Sequence, residues 1–148
     1  MRVDIKIDPQ ITETNVIIQA PKISTELIAL AELLEKADDK AYLLTAKKDD
    51  KLFIIEAEQV DIVRTEGGEV KLYKDDATEY TLAKPLTEIH ERLGENFLRI
   101  SKSALVHINR VDHIAPSFNG TMYIVMKNGI SDYISRKYLS AFKKHLGL

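Results

Sequence analysis

Ser101-Lys102-Ser103 is where the residue types first suggest chemistry. A cation flanked by two hydroxyls sits at the break between the alternating run from Phe97 and the apolar run from Ala104. Such a turn can hold a phosphate or a base edge. The competing reading is a surface turn whose serines cap the next backbone segment. Arg99, Lys102, Arg110, Lys127, Arg136 and Lys137 all fall at turns or element ends, positions that project from one edge of a sheet. Their phosphate contacts would give salt-dependent affinity. One or two arginines reaching guanine O6 and N7 would give specificity. Catalysis finds less material. His90, His107, His113 and His145 have no carboxylate pair or third ligand at metal spacing. Gly67-Gly68 is a hairpin signal, not a phosphate loop. There is no cysteine nucleophile and no local Ser-His-Asp arrangement. No enzyme, cofactor or small-molecule substrate is expected.

The elements that must position these residues are mostly short strands. Residues 60–65 and 69–74 flank Gly67-Gly68, with Val60 and Ile62 read as alternating inward. Residues 41–46 and 51–55 form an earlier hairpin, and 78–82 another strand. Pro85 opens a short helix with Leu86, Ile89, His90 and Leu93 on one face, and Gly94 closes it. After the central stretch, residues 121–126 and 130–134 flank an Asn128-Gly129 turn. Ser135 is a candidate N-cap for a terminal helix over 136–146, with Leu139, Phe142 and Leu146 inward. The first 40 residues read differently. Residues 2–8 alternate as a strand ended by Asp8-Pro9, and residues 15–20 form another. Ser24 then caps a helix with Leu27, Leu30, Ala31, Leu34 and Ala37 at helical spacing, ended by Asp38-Asp39. Ile23 and Ile28 are spaced as a hydrophobic staple. The expectation is a mainly β, largely antiparallel fold of about ten short strands with peripheral helices. It comprises a short β/α extension over 1–40, serving as a packing or dimer element, and a domain over 41–148.

Charge is distributed unevenly along the 148 residues, whose net charge is −2. From Met1 to Asn96, 13 Lys and Arg face 21 Asp and Glu. From Phe97 to Leu148, 8 Lys and Arg face only Asp112 and Asp132. A polyanion partner fits that distribution if the basic part presents one face. With 45% hydrophobic residues the chain can bury a core, yet no run approaches the roughly 20 apolar residues of a membrane span. The opening residues do not read as a signal peptide, so a cytoplasmic location is the default expectation. There is no helix-turn-helix, zinc-finger or basic-zipper signature, so a DNA binder built this way would read bases from loops and strand ends.

The stretch from Phe97 through Arg99, Ser101-Lys102-Ser103, Val106 and His107 to Ile114 resembles the hallmark segment of the LytTR-type DNA-binding domain. In that family a strand of the form F-x-R-apolar runs into a polar-polar-Ser turn and an apolar stretch ending in Val-Asn. Residues 60–65 with their Gly-rich loop, the short helix before the hallmark, and the closing Ser135-Arg136-Lys137-Tyr138-Leu139 resemble further family pieces. The resemblance runs from about Tyr42 to Leu148. It implies an elongated β domain that binds promoter DNA through loops entering successive major grooves. It places Lys102 at the main contact of the hallmark turn, between Ser101 and Ser103, and Arg136 at the base-reading arginine, with Lys137 and Arg99 nearby. The third contact loop falls at Gly67, Gly68 and Glu69, where two glycines and an acid replace the usual polar or basic side chain. His107 stands in place of the family's Asn. The resemblance further implies the class without a receiver domain, often encoded with a small membrane protein that restrains it. It also implies a homodimer, at least on paired DNA sites. Two function classes are therefore weighed: a sequence-specific transcription regulator, and a protein-interaction module that keeps the fold without binding DNA.

Overall fold

The structure is a computed structural model describing residues 1–37 and 43–148. It divides into two units, Met1–Lys40 and Ala41–Leu148.

In the first unit, one helix, α1 (Thr25–Ala37), is present. Ser24 caps it as its position suggests: the Leu27 N–H donates to Ser24 Oγ at 3.1 Å. Leu27, Leu30, Ala31 and Leu34 form its less exposed face. Ile23 and Ile28 are both exposed, so the anticipated staple buries neither. The two strands expected over 2–8 and 15–20 are not formed, because no ladder partner meets them among the described residues. A strand, unlike a helix, cannot satisfy its own backbone. The expected helix end at Asp38-Asp39 and the strand start at Ala41 lie outside the described residues.

Among the described residues the second unit carries ten strands and two α-helices: β1 (Leu43–Lys48), β2 (Lys51–Glu56), β3 (Val60–Glu66), β4 (Glu69–Lys74), β5 (Glu79–Leu82), α2 (Leu86–Leu93), β6 (Phe97–Ser101), β7 (Ala104–His107), β8 (Val111–Pro116), β9 (Met122–Met126), β10 (Ser131–Ile134) and α3 (Arg136–His145). All pairings are antiparallel. One sheet has the order β2-β1-β5-β4-β3-β7-β6 and the other β10-β9-β8. The expected mainly β, antiparallel architecture is the one observed.

The larger sheet is buried on both faces at its centre. Val63, Leu72, Leu105 and Phe97 pack with Leu86, Ile89 and Leu93 of α2 on one face. Ile62, Ile100 and Val106 pack with Ile124, Met126 and Ile134 of the smaller sheet and Phe142 of α3 on the other. Val60 and Ile62 were expected on one face, but they lie in different clusters, and Val60 sits with Val63. The cause is a bulge: the β3–β4 register shifts between Val60 and Ile62. The extra residue is Asp61, which is completely buried.

His107 closes β7 from inside the core. It is 5% exposed, stacks on Phe97 at 4.7 Å, and its Nδ1 lies 3.0 Å from Val60 O. A carbonyl only accepts, so Nδ1 carries the proton. Burial pushes the imidazole pKa below its ordinary 6.5, outweighing the Val60 hydrogen bond. With the folded value lowered, the unfolded chain binds the extra proton first, so stability is lost as pH falls through 6.5 and below. Denaturant titrations at neutral and mildly acidic pH should show a larger acid loss for the wild type than for His107→Gln. Equal losses would remove this role.

Candidate nucleic-acid interface

Three backbone connections bring the basic loops together. The Thr65 N–H, near the end of β3, donates to Ser103 O at 2.8 Å. The Ser135 N–H, at the cap of α3, donates to Ile100 O in β6 at 2.9 Å. Glu66 and Glu69 pair across the mouth of the Gly67-Gly68 turn. The β3–β4 turn, the β6–β7 turn and the start of α3 therefore share one end of the larger sheet.

Within the β6–β7 turn the serines do what the capping reading required. Ser101 Oγ accepts the Ser103 N–H at 3.2 Å and lies 3.3 Å from Ser103 Oγ. Arg99 clamps the same turn, donating from Nη1 to Lys102 O at 2.7 Å and reaching Thr87 Oγ1 at 3.5 Å. Its guanidinium is thus partly engaged in shaping the turn. Lys102 is exposed and has no carboxylate partner among the described residues.

Arg136 and Lys137 are the first two residues of α3, and both are exposed. Ser135 is the N-cap residue, as its position suggested, but it makes no side-chain cap bond, and the first turn holds no acid. The helix end is left with open N–H groups and positive partial charge. Arg136 has a neighbour that sequence reading did not assign. The β8–β9 loop contains Asn119 and Gly120, both at positive φ, and a Cβ built on Gly120 would lie 3.1 Å from Arg136 Cδ. The arginine stem passes over a bare glycine. An Asn-Gly pair was the available signal.

The β3–β4 turn has Gly67 at φ 57° and Gly68 at φ 81°, as a two-glycine hairpin requires. Space beside both is open. Glu69 is held by Lys71 at 2.9 Å. Glu66 is bound by Arg64 and by Tyr73. Burial alone would raise the Glu66 pKa, but these hydrogen bonds outweigh it and lower it. The Tyr73 phenol is pushed up to about 12 by burial and by Glu66. Arg64 also donates to Asp132 at 3.2 Å, tying β3 to β10. Asp132 is one of only two acids after Asn96, and this bond engages it. The other, Asp112, faces His113 at 2.7 Å.

Two of the cations named from sequence are elsewhere. Arg110 donates to buried Asp61 at 2.8 Å, and Lys127 to Asn109 O at 3.2 Å. Both belong to the opposite end of β3, where they join elements rather than face a ligand. Among the described residues no group of three or more His, Asp or Glu is placed to hold a metal ion. No helix there is long and apolar enough to cross a membrane.

Exposed cations gathered from loops and a helix start at one end of an antiparallel sheet define a class of surface suited to a polyanion. Comparison with known proteins makes it specific. The family model for the LytTr DNA-binding domain matches residues 50–147. The chain belongs to the LytTr DNA-binding domain family. It is 25% identical over its whole length to an uncharacterized HTH-type transcriptional regulator of Staphylococcus aureus, covering 99% of that protein. It is 25% identical over 121 residues to the sensory transduction protein LytT of Enterococcus faecalis, covering 81% of this chain and 50% of that protein. The chain thus spans about half the length of that relative. A solved LytTr DNA-binding domain from Bacillus cereus superposes with a TM-score of 0.67 at 24% identity, covering 74% of this chain and all of the other. The helix-turn-helix in the staphylococcal protein's name has no counterpart among the described residues here, where strands separate every pair of helices.

Proposed function

We propose that this protein is a sequence-specific transcription regulator that acts in the cytoplasm and reads promoter DNA through the β6–β7 turn and the start of α3. The observation that carries this reading is the Ser135–Ile100 bond, which brings exposed Arg136 beside the turn bearing exposed Lys102. Arg136 supplies the base contact, and Lys102 reads a base edge or phosphate. Lys137 and the open α3 N–H groups bind phosphate. Ser101, Ser103 and Arg99 set the turn's shape. Gly67 and Gly68 allow backbone approach to the duplex, while Glu69 stays on Lys71. The operator is a pair of sites bound by a homodimer.

Fluorescence anisotropy against the chain's own upstream promoter and a scrambled duplex, at two salt concentrations, tests the reading. The expected result is tighter promoter binding that weakens steeply with salt. Lys137→Ala should weaken both duplexes alike and lower the salt slope by about one unit. The protein-interaction reading draws on the acidic first 96 residues and on Glu69 in the third loop. Elution from heparin at very low salt, with no promoter preference, would favour it.

A further inference from the structure

Residues 2–8, Arg-Val-Asp-Ile-Lys-Ile-Asp, alternate charge on one side and aliphatic side chains on the other. In the structure Val3, Ile5 and Ile7 are 74%, 82% and 85% exposed. Arg2 Nε lies 3.1 Å from Asp4 Oδ2, which puts these two on a common side of the backbone. An Asp8 side-chain turn ends the segment, with the Gln10 N–H on Oδ1 at 3.0 Å. No ladder among the described residues includes this segment. A strand-like sequence with a full apolar face and no backbone partner calls for pairing from outside.

The charge order says what pairs with it. Laid antiparallel on an identical segment with Ile5 opposite Ile5, Arg2 faces Asp8 and Asp4 faces Lys6, while Val3 faces Ile7 on the other side. Every charged residue meets its opposite, and the two-fold operation repeats each pair. A parallel in-register pairing would set Arg on Arg and Asp on Asp, which is unfavourable. We propose that residues 2–8 form the dimerisation strand of this protein, pairing antiparallel with the same strand of a second copy about a two-fold axis at Ile5. Such an interface is self-complementary and closes. A two-stranded ribbon alone is marginal. Exposed Ile11, Val16 and Ile17, with exposed Ile28 and Leu33 of α1, add apolar area toward the about 800 Å² per partner that a stable interface needs.

Sedimentation velocity and equilibrium on the full chain, without DNA, test this independently of the DNA-binding reading. Wild type should be a dimer at about 50 µM, and Asp4→Lys and Lys6→Asp should each raise the dimer Kd by about tenfold or more, since each turns two attractive cross-strand pairs into repulsive ones. The double variant Asp4→Lys/Lys6→Asp restores opposite charges and should recover the dimer. Ile5→Lys should abolish it. All three positions are exposed, and circular dichroism should show every variant folded. A monomeric wild type, a dimer indifferent to single reversals, or a double variant that stays dissociated would each overturn the proposal. Indifference would place residues 2–8 on their own copy or in solvent.

Discussion

Arg136→Ala is expected to cost about 1–3 kcal/mol of specific DNA binding, roughly 10- to 100-fold in Kd, with much less effect on a scrambled duplex. Arg136 opens α3, and the cap of that helix is fixed to β6 one residue before Ser101. Its aliphatic stem lies over Gly120, where a Cβ would come within 3.1 Å. That contact narrows the directions available to the guanidinium before DNA arrives, so less freedom is lost on binding. Gly120→Ala therefore makes a companion test. It puts alanine at φ 72° and pushes on Arg136, so it should lower promoter discrimination without removing a charge. The salt slope separates the two effects: Arg136→Ala lowers it if the guanidinium also neutralises phosphate, and Gly120→Ala leaves it unchanged. Intact discrimination in Arg136→Ala would refute the base-reading assignment.

The fold was largely legible in residues 43–146 because strand and turn chemistry agree there. Gly67-Gly68 and Asn128-Gly129 form turns where their sequences suggested, and Leu86, Ile89 and Leu93 face the sheet from α2. What alternation could not show was the bulge at Asp61. A run of Val-Asp-Ile-Val reads as a half-buried strand with a surface carboxylate, yet all four residues are buried. A period of two breaks down where one strand holds an extra residue. The first 20 residues failed for a different reason. Their alternation is real, but a strand exists only with a partner, and local sequence does not say where that partner lies.

The site was legible in part. The family resemblance marked Lys102 and Arg136 each as a DNA contact, but nothing in a spacing of 34 positions reveals that the β6–β7 turn and the start of α3 share one end of the sheet. Loop position also picked Arg110 and Lys127, which lie at the other end of β3. Nothing in the spacing of Asp61 and Arg110, 49 residues apart, reveals that they meet. Arg99 sits between the two cases: it is at the turn, but it spends donors on Lys102 O to hold it. A basic residue at an element end is thus a candidate only until its carboxylate or carbonyl partner is known.

Asp61→Ala should be the most damaging of these changes to stability, at about 2–4 kcal/mol, with DNA contacts untouched. Asp61 is fully buried and joins three elements: Oδ1 accepts from Arg110 Nε at 2.8 Å, and Oδ2 accepts the Asn128 N–H at 3.0 Å. Asn128 in turn donates to Lys74 O at 2.8 Å and accepts the Ile130 N–H at 3.0 Å. Removing the carboxylate leaves a backbone N–H without its acceptor and a half-enclosed guanidinium without its counter-charge. Because the Arg110 side chain keeps 29% of its surface in water, rehydration recovers some of that loss, which holds the figure below that of a wholly buried pair. Asp61→Asn should do little better, since its amide presents donors to a donor. Urea titrations read the loss. A double-mutant cycle with Arg110→Ala should give a double variant less destabilised than the sum of the singles. Anisotropy then separates structure from recognition: under conditions where it is folded, Arg110→Ala should keep the wild-type salt slope, whereas Lys137→Ala lowers it by about one unit. A lowered slope in Arg110→Ala would return that arginine to the DNA-facing set.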